Sequence, residues 1–206
     1  MKIENVKPTE IEARSFEIIG EILGDKKIDP KYEHIVKRCI HTSADFEYAD
    51  SMWFSDGVVD AISDAIKKGA TIVTDTKMAQ SGINKKRIES YGGKVLCFIG
   101  DEDVAKEAKE RGLTRSYISM EKASKLKGPV IFAVGNAPTA LLSIVSLVKE
   151  GKLNPVGVIG VPVGFVNVVE SKERLIESGI PGIVARGRKG GSNIAACIVN
   201  AIQYKL

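Results

Sequence analysis

Only two histidines occur in the 206 residues, and one of them stands among side chains that could use a proton. The stretch is Arg38-Cys39-Ile40-His41-Thr42-Ser43-Ala44-Asp45-Phe46-Glu47-Tyr48. Imidazole is the side chain that titrates nearest neutral pH, so His41 is the first candidate for general acid–base work. Arg38 lies one helical turn before it. Two hydroxyl residues and then acidic and aromatic residues follow. The helix that carries this stretch would end here, and cations are favoured at helix C-termini. The second histidine, His34, has no such neighbours and reads as structural. Arg38 could also pair with Asp45 or Glu47 rather than with a ligand.

Glycine-rich loops supply the second set of candidates. Gly135-Asn136-Ala137-Pro138 reads as a tight turn, an N-cap at Asn136 and a helix with proline in its first turn. Free backbone N–H groups at such a helix start suit a carboxylate or phosphate. Gly190-Gly191-Ser192 opens the last helix in the same way, and Arg186, Arg188 and Lys189 precede it. Asp75 and Asn136 have a plainer alternative use as helix caps. Several site types are excluded by pattern. There is no GxxxxGK[ST], no GxGxxG after the first strand, no GxSxG and no HExxH. Cys39, Cys97 and Cys197 are odd in number and far apart, which offers neither a disulfide framework nor a metal spacing. No metal site is expected.

Hydrophobic patterning says what must hold these residues. Periodic apolar positions predict helices over 8–23, with Thr9 and Glu12 as a capping box, and from Pro30 through His41. Further helices are expected at 55–68, 77–91, 102–110, 117–126, 137–150, 169–178 and 191–203. Between them lie apolar, β-branched runs at 70–74, 94–99, 129–134, 156–160 and 182–186. Continuously apolar strands alternating with helices indicate a parallel sheet covered on both faces. The expectation is an α/β chain of one domain over 1–206: a three-layer α/β/α sandwich with a Rossmann-like five-stranded parallel sheet and extra N-terminal helices. Ligands of such sheets bind beyond the carboxyl ends of the strands.

Composition agrees with a globular chain, 44% hydrophobic and 27% charged. The net charge of +4 suits anionic small molecules and falls short of a nucleic-acid footprint. No uncharged run has membrane-spanning length, so no membrane partner is expected. Met1-Lys2-Ile3-Glu4-Asn5 lacks the apolar centre of a signal peptide, and a cytoplasmic location is expected.

Taken together, six segments resemble the precorrin-8X methylmutase family, whose cobalt-pathway members are cobalt-precorrin-8 methylmutases. They are Glu12-Ala13-Arg14-Ser15-Phe16, Arg38-x-x-His41-Thr42, Thr74-Asp75-x-x-Met78-x-x-x-Gly82-Ile83, Gly135 to Leu141, Gly160 to Asn167, and Arg186 to Ser192. Lys189 departs from the small residue expected in the last of these. The resemblance implies an isomerase of cobalamin biosynthesis that moves a methyl group from C11 to C12 of a corrin precursor. It implies no external cofactor, a corrinoid polycarboxylate as partner, and a homodimer with its site near the subunit interface. It also implies His41 as the catalytic residue, with Ser15 and Arg38 contacting substrate. Arg14, Arg115, Asn136 and Arg186 are further substrate-binding candidates. Either a metal-free or a cobalt-bearing ring is compatible. Two other readings stay open at this point: a non-catalytic tetrapyrrole-binding carrier, and a nucleotide-dependent enzyme on a Rossmann-like sheet.

Overall fold

The computed structural model describes residues 3–206; Met1 and Lys2, part of the stretch read for a signal peptide, lie outside the described residues. The chain begins with two helices, α1 (Ile11–Leu23) and α2 (Glu33–Ser43), then a short α3 (Tyr48–Ser51) and the strand β1 (Met52–Phe54). It continues as α4 (Val58–Lys67), β2 (Thr71–Thr74), α5 (Lys77–Gly82), α6 (Lys85–Ser90) and β3 (Lys94–Leu96). Then come α7 (Glu102–Arg111), α8 (Arg115–Ala123), β4 (Val130–Val134), α9 (Pro138–Lys149) and β5 (Gly157–Gly160). The last elements are α10 (Val168–Glu177), β6 (Gly182–Ala185) and α11 (Ser192–Gln203).

The sheet runs β1-β6-β5-β4-β2-β3, with β2 to β6 mutually parallel as their sequence pattern requires. It has six strands rather than five. The sixth, β1, is an antiparallel edge strand with Trp53 opposite Val184. Three residues following directly on a helix carry no period-2 signal, and the strand is tied to β6 at both ends, the Arg186 amide donating to the Ser51 carbonyl at 2.8 Å at one of them. The Ser55 amide donates to the Gly182 carbonyl, and the Gly182 amide donates to Ser55 Oγ at 2.9 Å.

Two apolar cores lie on the two faces of the sheet, which makes the three layers. Ile72, Ile131, Ile159 and Ile183 share one core with α2, α4 and α11. Val73, Phe132, Val158 and Val184 share the other with α8, α9 and α10. Alternate residues of each strand thus face opposite helix layers, as pleating demands. The fit in β5 is close: a Cβ on Gly160 would meet Leu175 at 2.6 Å, and one on Gly157 would meet Ile62 at 2.9 Å.

Three local expectations are corrected. The N-cap of α1 is Glu10, whose side chain makes no capping bond, so the Thr9–Glu12 box does not form. The helix expected over 77–91 is two helices, because Asn84 caps the second by accepting from the Arg87 amide at 3.3 Å. Asn136 is not the N-cap of α9; that position is Ala137.

The strand order reverses between β2 and β4, which is where an open α/β sheet ordinarily takes its ligand. Here that crevice is filled by the chain itself. The fully buried Asp75 carboxylate accepts from the amides of Gly135, Asn136 and Ala137 at 3.0, 2.8 and 2.7 Å. The N–H groups expected to bind an external anion therefore already hold an internal one. Burial pushes the Asp75 carboxyl up from its ordinary range, and the three N–H bonds oppose that rise.

Replacing Asp75 by Ala leaves three inward N–H groups without an acceptor. Each such group costs about 1–3 kcal/mol, so the variant is expected to lose roughly 3 kcal/mol or more of unfolding free energy, measured as a lowered urea midpoint.

Candidate active site

His41 sits in the last turn of α2, which ends at Ala44 in the left-handed conformation, φ 55°. One side of α2 is buried through Ile35, Val36, Cys39 and Ile40, and this packing fixes the helix against α11 and the sheet. His41 is left on the exposed side. There α1 crosses, and the ring of Phe16 stacks on the imidazole with centroids 5.4 Å apart and planes inclined by 21°. The Arg38 guanidinium lies over the same Phe16 ring, 5.0 Å from its centroid, and pairs with Glu12 of α1. Arg38 does not reach Asp45 or Glu47, the partners open to it in the sequence.

Beside His41 is an open cleft of about 270 Å³ lined by Ser15, Ile18, Ile19, Ile22, Ile40, Ala44 and Phe46. Its walls are mostly apolar, and the imidazole and the Ser15 hydroxyl are its polar groups. Ser15 Oγ donates back to the Ile11 carbonyl at 2.8 Å, and this bond sets its direction. Arg14 lies along a neighbouring cleft that also includes Ser15 and Ile18, and it pairs with Glu4, Glu17 and Glu21. Ser15, Arg38 and His41, separate in sequence, are thus brought together where α1 and α2 meet. His34 is half-buried on the far side of Arg38, in a cleft of about 450 Å³ with Lys37, Tyr204 and Lys205. Burial, with Lys205 nearby, lowers its pKa.

The other candidates lie elsewhere. Arg115 opens α8 and is exposed, as is Asn136 before α9. A bond of 2.7 Å between Thr114 Oγ1 and Thr139 Oγ1 joins those two helix starts. Neither residue lines the His41 cleft. Arg186, at the end of β6, pairs with Glu173 at 3.6 Å.

Two lysines outside the expected roles hold the surroundings of His41. Lys189 Nζ pairs with both Asp45 and Glu47 at 2.6 Å, binding the turn after α2 to the loop after β6. That accounts for the acidic residues after His41, and Lys189 holds the Asp45 carboxyl below the usual carboxylate range. Lys172 of α10 is fully buried, and its ammonium donates to the carbonyls of Gly187 and Lys189, both at 2.8 Å. Burial lowers its pKa to about 8. Nothing in the sequence distinguished Lys172 from a solvated helix lysine. Only the strongly periodic apolar positions around it, Val168 and Leu175, hint that its side of α10 faces inward.

Another link runs through α11. The Thr42 hydroxyl donates to Cys197 Sγ at 3.1 Å, and the free thiol of Cys39 shares a hydrogen-bonding contact with that of Cys197. That bond and burial push the Cys39 thiol well up, so it is an inert packing group. Among the described residues no group of three or more His, Cys, Asp or Glu is placed to hold a metal ion, and no helix is long and apolar enough to cross a membrane.

The fold and site define an α/β protein with a doubly covered parallel sheet, an exposed histidine and a serine beside an apolar cleft, and an arginine held on the same Phe16 ring as the histidine. The family profile of precorrin-8X methylmutase matches residues 10–205. The chain is 48% identical over 197 residues to the cobalt-precorrin-8 methylmutase of Priestia megaterium, covering 96% of this chain and 88% of that protein. It is 44% identical over 206 residues to the cobalt-precorrin-8 methylmutase of Salmonella typhimurium, covering 97% and 96%. The crystal structure of precorrin-8x methyl mutase from Thermus thermophilus superimposes with a TM-score of 0.86 at 38% identity, covering 95% of each chain. The chain belongs to the precorrin-8X methylmutase family, isomerases of cobalamin biosynthesis. Membership sets aside the carrier and nucleotide-dependent readings.

Lys172 gives this site a pH signature. Its folded pKa of about 8 lies below the ordinary 10.5, so between those values the unfolded chain binds more protons and stability rises with pH. In Lys172→Met that contribution is gone. The stability of the parent relative to the variant is expected to increase from pH 8 to 10.5, by at most about 3 kcal/mol. Urea unfolding of both proteins across that range checks it.

Proposed function

We propose that this chain, acting as one domain, isomerises a corrin precursor by moving a methyl group from C11 to C12, with His41 as general acid. The carbon–carbon bond at C11 breaks as the bond at C12 forms. His41 lends a proton to the conjugated ring system, which draws electron density toward the protonated atom, and recovers it when the shift is complete. No group is added or lost, so no co-reactant is needed. The observation that carries this reading is the exposed imidazole at the edge of an apolar cleft, braced by Phe16 and flanked by Ser15 and Arg38.

The substrate is a broad, flat ring with carboxylate arms, so apolar walls for the ring and cations for its rim are the required surfaces. Ile18, Ile22 and Ile40 suit the first. Arg38, Arg14, Arg115 and Arg186 suit the second, Ser15 offers a hydroxyl beside the imidazole, and Asn136 offers an amide at the end of β4.

A cleft of 270 Å³ lies at the small end of ligand pockets, which run to about 1,000 Å³. A macrocycle needs further walls. Ile11, Ile18 and Ile22 are exposed along α1 next to this cleft, an apolar stripe that a second copy of the chain would cover. That stripe supports the homodimer, with each site completed near the interface. Three unpaired cysteines support a reducing, cytoplasmic setting.

The ring is read as the cobalt-bearing one. The relatives cited from P. megaterium and S. typhimurium are both cobalt-precorrin-8 methylmutases. The product would then be cobyrinate rather than hydrogenobyrinate, and cobalt enters with the substrate.

In His41→Ala, conversion followed by the corrinoid absorbance spectrum is expected to slow by about 10²- to 10⁴-fold while circular dichroism stays that of the parent. Conversion at the parental rate would remove the acid from the mechanism. Offered both rings separately, the parent is expected to turn over cobalt-precorrin-8 with the higher kcat/KM. A preference for the metal-free ring would reverse the assignment of substrate.

A further inference from the structure

Phe16 contributes to neither of the two apolar cores that build the sheet layers, although it is a large aromatic residue on an amphipathic helix. Its ring is partly exposed, and the groups recorded against it are the His41 imidazole at 5.4 Å and the Arg38 guanidinium at 5.0 Å. Those two side chains stand three residues apart on α2 and so project on one face of it. Phe16 and Glu12, four apart on α1, meet them from the opposite side. Glu12 takes the charge of Arg38 and Phe16 supplies a face to both. Tyr204 approaches Arg38 at 5.8 Å, so the guanidinium has a second aromatic support, whereas Phe16 is the aromatic stacked on the imidazole.

We propose that Phe16 is a positioning residue for the methyl shift: its ring fixes the plane of the His41 imidazole, so that a ring N–H is aimed at the substrate rather than swept over the surface. This rests on His41 being the proton donor. The physics is that of a short lever. An exposed imidazole turns about two side-chain bonds, and general acid catalysis needs its N–H within hydrogen-bond reach of the proton's destination. Offset stacking restricts that rotation. An aromatic face also attracts a cation, so the contact strengthens when the imidazole is protonated and ready to donate. Ser15, the neighbour of Phe16 in sequence, lines the cleft on the side of His41 where the substrate would lie. The same helix turn therefore both contacts the cleft and orients its acid. A leucine would keep most of the apolar volume and lose the flat face.

The test uses the full chain as Phe16→Leu and Phe16→Tyr. Phe16→Leu is expected to lower kcat about tenfold, with KM within about twofold of the parent, because misorientation taxes the chemical step and not the binding. Phe16→Tyr keeps the aromatic face and is expected to restore kcat. A second readout is independent of turnover. In the parent, the Phe16 ring current displaces the His41 ring-carbon proton resonances in ¹H–¹³C spectra, and Phe16→Leu removes the displacement while Phe16→Tyr retains it. Parental kcat in Phe16→Leu, a loss confined to KM, or a loss shared equally by Phe16→Tyr would overturn the proposal. So would His41 resonances that do not move in Phe16→Leu. If His41→Ala turns over normally while the resonances move as described, the stacking stands and the acid role is what fails.

Discussion

The Asp75 carboxylate, closed over three backbone N–H groups, is the constraint on which the rest of this structure depends. It sits at the reversal of strand order and joins the loop after β2 to the loop after β4. The loop after β4 in turn meets the start of α11: a Cβ on Gly135 would lie 2.6 Å from the Gly191 carbonyl oxygen, so only glycine permits the approach. Thr76, next to Asp75, bonds to Ser192 at 2.7 Å and pins the same helix start. Helix α11 then supports α2 through Cys197 and Thr42, and α2 presents His41. A buried carboxylate thus sets the frame from which an exposed imidazole projects. It also explains why the usual ligand crevice of such a sheet is closed and the candidate site lies instead where the N-terminal helices pack.

Charge in the region follows one rule: nearly every cation already has an internal carboxylate. Arg14 pairs with three glutamates, Arg38 with Glu12, Arg186 with Glu173 and Lys189 with Asp45 and Glu47. Exposed pairs of this kind contribute about 0–1 kcal/mol each. A polycarboxylate can therefore take a cation from its glutamate at small cost, provided the geometry offered is as good. Arg115 and Arg188 have no ion-pair partner among the described residues and are available without exchange. The buried Lys172 is different in kind. It satisfies two carbonyls rather than a carboxylate, and so shapes the loop without neutralising anything nearby.

The five parallel strands were legible because burial on both faces demands unbroken apolar runs, and such runs have no competing explanation between helices. The edge strand β1 was not, since its pairing joins residues more than a hundred positions apart in the chain. Asp75 was legible as a helix-capping candidate but not as the group that closes the crevice, because the side chain acts across the sheet and not along the chain. The break at Asn84 was visible as Gly82-Ile83-Asn84, yet the apolar period ran through it. At the site, His41 stood out by rarity and Ser15 and Arg38 by resemblance. The stacking of Phe16 on His41 and Arg38 could not be read, because an aromatic on an amphipathic helix looks the same whether it faces a core or an imidazole.

Proton donation by His41 requires the corrin ring to sit within hydrogen-bond reach of the imidazole. A crystal structure with the corrinoid product bound measures this directly. It is expected to show the macrocycle over Ile18 and Ile22, with a His41 imidazole nitrogen about 3 Å from the ring atom that receives the proton. A macrocycle seated at the carboxyl ends of β2 and β4, with His41 facing solvent, would contradict it.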